Sequence, residues 1–153
     1  MALSGFNHFG VTVRDLDAST AFYLRLGAEP GPPDGRFVGP HMDEGLGLDD
    51  VILRTRMLSF GGVTVEFCQY DAPEGGPYTG RNNDVGSPHI ALEVEDIFRL
   101  HRELTAEGVS FYSPPVRIDD GPFIGGYWVY FRDPDGISVE LIQSGPGTVG
   151  AGG

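Results

Sequence analysis

The sequence matches itself, and that constrains its fold more than any other feature. Asn7–Gly27 (NHFGVTVRDLDASTAFYLRLG) aligns without a gap on Pro88–Gly108 (PHIALEVEDIFRLHRELTAEG). His8 falls on His89, Val13 on Val94, Asp15 on Asp96, Leu16 on Ile97 and Gly27 on Gly108. A second match sets Gly62–Gln69 (GVTVEFCQ) on Gly136–Gln143 (GISVELIQ), with Glu66 on Glu140 and Gln69 on Gln143. The two offsets differ, so the first copy carries seven extra residues, most naturally in the Pro/Gly-rich stretch Pro30–Asp50. A chain that repeats at this length uses one supersecondary unit twice. Module 1 is expected over about 6–70, module 2 over about 88–143, and 144–153 has the composition of a frayed tail. Asp71–Ser87 connects the copies, and no long linker separates them, so one domain of two modules is expected.

Each copy opens with an alternating strand. In His8–Val13 the apolar side is Phe9, Val11 and Val13; in His89–Val94 it is Ile90, Leu92 and Val94. A helix follows each. Asp15 or Asp17 can cap the first and Asp96 the second by accepting the orphan N–H bonds of the first turn, and Gly27 and Gly108 suit the left-handed residue that ends a helix. Leu16, Phe22, Tyr23 and Leu26, like Ile97, Leu100 and Leu104, form stripes able to cover the apolar side of the strands. Val51–Phe60 and Val63–Tyr70 read as a hairpin turning at Gly61-Gly62, and Tyr127–Arg132 and Ile137–Gln143 as another turning at Asp133–Gly136. Short strands are expected near Arg36–Val38 and Val109–Tyr112, giving a βαβββ pattern in each copy.

A chain of 153 residues can bury a core without disulfides or a structural metal. The single cysteine, Cys68, excludes an internal disulfide framework. No signal-like or membrane-spanning apolar run is present, so a cytoplasmic location is expected. Twenty-two acids against ten bases give a net charge of −12, which repels phosphate backbones and argues against nucleic acid as a partner.

The chemistry lies opposite the apolar stripes. Val63, Val65 and Phe67 alternate with Thr64, Glu66 and Cys68; Ile137, Val139 and Leu141 alternate with Ser138, Glu140 and Ile142. Period-two alternation therefore puts His8, Glu66, His89 and Glu140 on the sheet face away from the helices. If the modules pair about a pseudo-twofold axis, the four converge in one cleft. Two imidazoles and two carboxylates suit a divalent ion such as Ni, Co, Mn, Fe or Zn. Several other residues are open to either a site role or a plain structural one. Cys68 shares the face of Glu66; Arg54 and Arg56 are placed beside the site; His41 is expected in a loop and His101 on the exposed side of a helix. Gly121–Gly126 (GPFIGG) can close over a ligand, and Tyr127, Trp128 and Tyr130 can wall it or pack in the core.

Through NHFGVTVRDLDASTAFY, VTVEFCQY, SPHIALEVEDI and YFRDPDGISVELIQ the sequence resembles the vicinal oxygen chelate superfamily, over about Phe6 to Gln143. Glyoxalase I, methylmalonyl-CoA epimerase, extradiol dioxygenases and the fosfomycin- and bleomycin-resistance proteins belong to that group. The resemblance implies an α+β glyoxalase-like fold, two βαβββ modules forming a half-open barrel of mixed sheet, a divalent metal ion and a homodimer. It carries the metal ligands onto His8, Glu66, His89 and Glu140. The His, Glu, His, Glu order is similar to that of the isomerases and lyases, which transfer a proton next to a carbonyl of a small metal-chelating substrate. Glu140 and Glu66 are then the candidate catalytic bases, with Glu140 placed first. An iron-dependent dioxygenase using only His8, His89 and Glu140 is the alternative from another enzyme class. A non-catalytic drug- or metabolite-binding resistance protein is the third. Phe67-Cys68-Gln69-Tyr70 lacks the asparagine that glyoxalase I has shortly after its fourth-strand glutamate, which argues against glutathione.

Overall fold

The computed structural model describes residues 4–146, and most of the tail expected at 144–153 lies outside them. The chain divides between Pro77 and Tyr78 into two compact units. The first holds β1 (Phe9–Thr12), α1 (Leu16–Arg25), β2 (Glu29–Pro30), β3 (Gly35–Val38), α2 (Pro40–Leu46), β4 (Ile52–Phe60) and β5 (Val63–Ala72). The second holds β6 (His89–Glu93), α3 (Ile97–Ala106), β7 (Val116–Arg117), β8 (Tyr127–Arg132) and β9 (Ser138–Gln143).

Both units solve the same problem in the same way. In the first, strand order is β1-β5-β4-β2, with β3 also paired to β4; in the second it is β6-β9-β8-β7. The first strand of each unit runs parallel to the last, and every other pairing is antiparallel. These are mixed α+β modules with one helix side and one open side, as the alternation predicts.

The helices sit where the caps dictate. Asp15 accepts from the backbone N–H groups of Asp17 and Ala18 at the start of α1, and Asp96 accepts from Arg99 N–H at the start of α3. Each helix ends in the same paired closure. Ala28 N–H donates to Tyr23 and Gly27 N–H to Leu24; Val109 N–H donates to Leu104 and Gly108 N–H to Thr105. Gly27 (φ 94°) and Gly108 (φ 93°) take the left-handed conformation this closure requires.

Gln69 and Gln143 explain their place in the repeat. Gln69 Oε1 accepts from Leu16 N–H at 2.9 Å, and Gln143 Oε1 accepts from Ile97 N–H at 2.9 Å. Each glutamine thus ties the last strand of its module to the first residue of its helix.

The helix side of each sheet is the core. Val11, Val13, Leu16, Phe22, Tyr23, Leu58, Val65 and Phe67 are buried in the first module, with the Tyr23 and Phe67 rings 4.9 Å apart. Ile90, Ile97, Leu104, Val129, Phe131, Val139 and Leu141 are buried in the second.

Two expectations are corrected. Gly39–Gly47 contains a helix, α2, rather than only loop. Pro40 presets its first turn, Gly47 (φ 65°) ends it, and it buries none of its residues, so no apolar periodicity betrays it. Its seven residues equal the surplus of the first copy. Val109–Tyr112 forms only a bridge between Phe111 and Phe131, with Tyr112 N–H donating to Tyr130. Pro114 and Pro115 follow and have no N–H to extend a ladder. Pairing with β8 resumes at β7. Among the described residues no helix is long and apolar enough to cross a membrane.

Candidate metal centre

The parallel pairing sets the geometry. Gly10 stands opposite Glu66 and Ala91 opposite Glu140. His8 and His89 each precede that partner by two residues and so share the glutamate's face. The consequence is the same pair built twice: His8 Nε2 lies 3.3 Å from Glu66 Oε2, and His89 Nε2 lies 3.4 Å from Glu140 Oε2. The glutamates are the more covered partners, with side chains 20% and 14% exposed against 35% and 51% for the histidines.

These separations fit a shared cation. Two donors 3.3 to 3.4 Å apart, each about 2.1 Å from one ion, subtend about 105° at it, a usual ligand angle. Asn7 strengthens the fit, since its Oδ1 lies 2.6 Å from His8 Nδ1. Asn7 Oδ1 can accept a hydrogen bond from Nδ1–H, which orients the ring and leaves Nε2 on the Glu66 side as a candidate ligand. Asn7 opens the repeat motif, yet its counterpart Pro88 offers no such group. Among the described residues no group of three or more His, Cys, Asp or Glu is gathered closely enough to hold a metal ion, so each site is a two-residue pair.

The surroundings of the two glutamates differ. Across the hairpins, Glu66 faces Met57 and Glu140 faces Tyr130. Tyr130 Oη donates to Glu140 Oε2 at 2.7 Å. Burial, then the bond to Glu140 and its charge, push the Tyr130 phenol well above its usual range, so it stays a donor. Beside Glu66 stands Cys68, whose Sγ is 3.7 Å from Glu66 Oε2. Burial first, and then the Glu66 charge, push this thiol up to about 12, so it is not a ready thiolate nucleophile.

Other candidates sort by face. Arg54 and Arg56 stand opposite Gln69 and Phe67, on the helix side and away from Glu66. Arg54 forks onto Asp71, and Arg56 holds Asp34, Asp17 and Thr20. They tie the module together and do not reach the face of Glu66. Trp128 shares the Glu140 face, its ring 5.5 Å from that of Tyr130, whereas Tyr127 turns away onto Phe98 of α3. His41 is exposed on α2. His101 is not exposed as expected: its ring lies on Phe111 at 4.3 Å and its Nε2 is shut off from solvent. The Gly121–Gly126 loop is closed at its base by bonds between Ile118 and both Gly125 and Gly126.

The profile of the Glyoxalase/Bleomycin resistance protein/Dioxygenase superfamily matches residues 5–141. The chain belongs to this superfamily. It is 36% identical over 144 residues to a 2-epi-5-epi-valiolone epimerase of an Actinomyces species, the match spanning 90% of this chain and 78% of the relative. Among solved members of the superfamily, a glyoxalase family protein from Bacillus cereus superposes with a TM-score of 0.82 at 19% identity, over 95% of this chain and 97% of that one. The fosfomycin resistance protein FosX from Listeria monocytogenes, solved with Mn(II) and sulfate, superposes with a TM-score of 0.59 at 18% identity, over 96% and 98% of the two chains. The fold is glyoxalase-like.

Proposed function

We propose that this chain is a metal-dependent epimerase or isomerase that moves a proton on the carbon next to a carbonyl. The observation that carries the reading is the His–Glu pair formed twice, on equivalent strands and in the same register. His8, Glu66, His89 and Glu140 would hold one divalent ion, with a small-molecule substrate as the partner and a homodimer as the assembly. When bound, the ion supplies positive charge beside the substrate's oxygens. The relative's name supports the reaction type, since it denotes inversion of a stereocentre in a ketone. A proton beside a carbonyl is the one that a carboxylate can remove from one face of a carbon so that it returns to the other. Glu66 and Glu140 are the carboxylates available for that transfer, and Trp128 and Tyr130 offer an aromatic wall on the Glu140 side.

The test begins with the ion. At a hundredfold excess over Kd it stabilises the folded chain by about 2.7 kcal/mol, a rise in Tm of about 5–10 °C, and chelator reverses it. With Mn(II) bound and oxygen excluded, 2-epi-5-epi-valiolone in deuterium oxide gains deuterium at the carbon beside its carbonyl, read by NMR. No thermal shift with Ni, Co, Mn, Fe or Zn would sink the metal and favour the binding-protein alternative. Turnover that consumes oxygen would favour the dioxygenase.

A further inference from the structure

Glu66 and Glu140 hold equivalent places, but only one of them is clamped. Glu140 Oε2 receives Tyr130 Oη at 2.7 Å and faces His89 Nε2 at 3.4 Å. Tyr130 is itself braced, edge-on to Trp128 at 5.5 Å and to His89 at 5.6 Å. Swinging Glu140 aside breaks a charge-assisted O–H···O bond to a ring held edge-on by two neighbours. Within its own module Glu66 has a weaker hold. The residue directly across from it is Met57, whose thioether has no proton to give. Its neighbour Cys68 offers a thiol at 3.7 Å, a weak donor. Swinging Glu66 aside costs that contact and its pairing with His8 Nε2 at 3.3 Å, the counterpart of the His89 pairing, but no hydroxyl bond like the one from Tyr130.

We infer that Tyr130 is a positioning residue that keeps Glu140 at its station, and that Glu66 is the carboxylate that moves the substrate proton. This rests on the proposed metal-dependent reading and reverses the order in which the sequence places the two glutamates. The division of labour follows from what each task needs. A ligand that stays put is best held by a fixed donor, whereas a base must leave its resting place to reach carbon. Proton balance is simple: Glu66 takes the proton as the C–H bond breaks and gives it back when the bond re-forms, with no oxidant or reductant required.

The full chain is titrated with Mn(II) alone, free ion being counted by electron paramagnetic resonance. Tyr130→Phe keeps the ring against Trp128 and His89 and removes only the hydroxyl. It should weaken Mn(II) binding by about 10-fold, the usual loss when a group orienting a ligand is removed. Glu66→Gln should weaken it less than Glu140→Gln does. With Mn(II) raised to saturation for each variant, deuterium uptake by 2-epi-5-epi-valiolone should fall about 10²–10⁴-fold in Glu66→Gln and far less in Glu140→Gln. Wild-type Mn(II) affinity in Tyr130→Phe overturns the positioning role. Equal or greater loss of uptake in Glu140→Gln overturns the assignment of the base while leaving the metal-dependent reaction standing. A wild type that binds no Mn(II) overturns both.

Discussion

Gln69 and Gln143 permit a test of the architecture that needs neither metal nor substrate. Each supplies an acceptor that the first backbone N–H of a helix would otherwise lack, and those N–H groups belong to Leu16 and Ile97, which are 1% and 0% exposed. Changing Gln143 to Leu keeps the size of the side chain and leaves the donor of Ile97 stranded in the core. A buried donor without a partner costs about 1–3 kcal/mol, which for a chain of this length lowers Tm by about 2–10 °C. Gln69→Leu should cost at least as much, because Gln69 also donates to Asp71 at 3.1 Å. The glutamate substitutions separate the two sites. Gln143→Glu retains an acceptor and adds negative charge at a helix N-terminus, so it should melt close to the parent. Gln69→Glu sets a second carboxylate against Asp71 and should melt lower. The partners of the two glutamines do not overlap, so the double Leu variant should show the sum of the two losses. Differential scanning calorimetry reads the five variants against the parent. Leu variants that melt with the parent would refute the claim that these amides fasten the helices.

Asp133 is 5% exposed and its Oδ1 accepts from Asp135 N–H at 2.9 Å and Ile137 N–H at 2.8 Å; Asp133→Ala should cost about 2–4 kcal/mol in urea titrations and Asp133→Asn less, and an Ala variant as stable as the parent would refute the turn's dependence on it. Arg56 holds the Asp34 carboxyl below its ordinary 3.8, so this pair contributes above that pH and its contribution is lost as pH falls through the depressed value. Asp34→Asn should therefore lower Tm at pH 7 and lose less stability than the parent between about pH 5 and pH 3; parallel Tm–pH curves would contradict the assignment.

Much of this molecule is legible in the sequence because it is said twice. The repeat, the caps at Asp15 and Asp96, the closing glycines and both hairpin turns all depend on local chemistry, and the structure has them where expected. The pairing of His8 with Glu66 and of His89 with Glu140 follows from alternation plus parallel pairing. What is missed depends on packing without periodicity. The helix α2 has no buried face, and β2 and β7 are two residues each, too short to alternate. Arg54 and Arg56 are misplaced because β4 carries apolar residues on both faces, Leu58 on one and Leu53 and Met57 on the other, and shifts register between Ile52 and Leu53. Tyr130 had a readable signal. Counting outward from the two hairpin turns sets Tyr130 across from Glu140 and Met57 across from Glu66, and the difference between a phenol and a thioether is already there.

The parallel joining of first strand to last also governs the order in which each module can be finished. The hairpins β4–β5 and β8–β9 close through short turns and can form early, from chain segments that are neighbours in sequence. The strand bearing the histidine must wait. A parallel partner cannot be reached by a tight turn, and His8 and His89 each stand more than fifty residues ahead of their glutamates. On the ribosome, a nascent chain halted before β5 or β9 already displays its histidine and has no glutamate to set beside it. Two side chains of one module can grip an ion together only after the longest-range contact in that module has closed, so an unfinished module cannot be trapped around one.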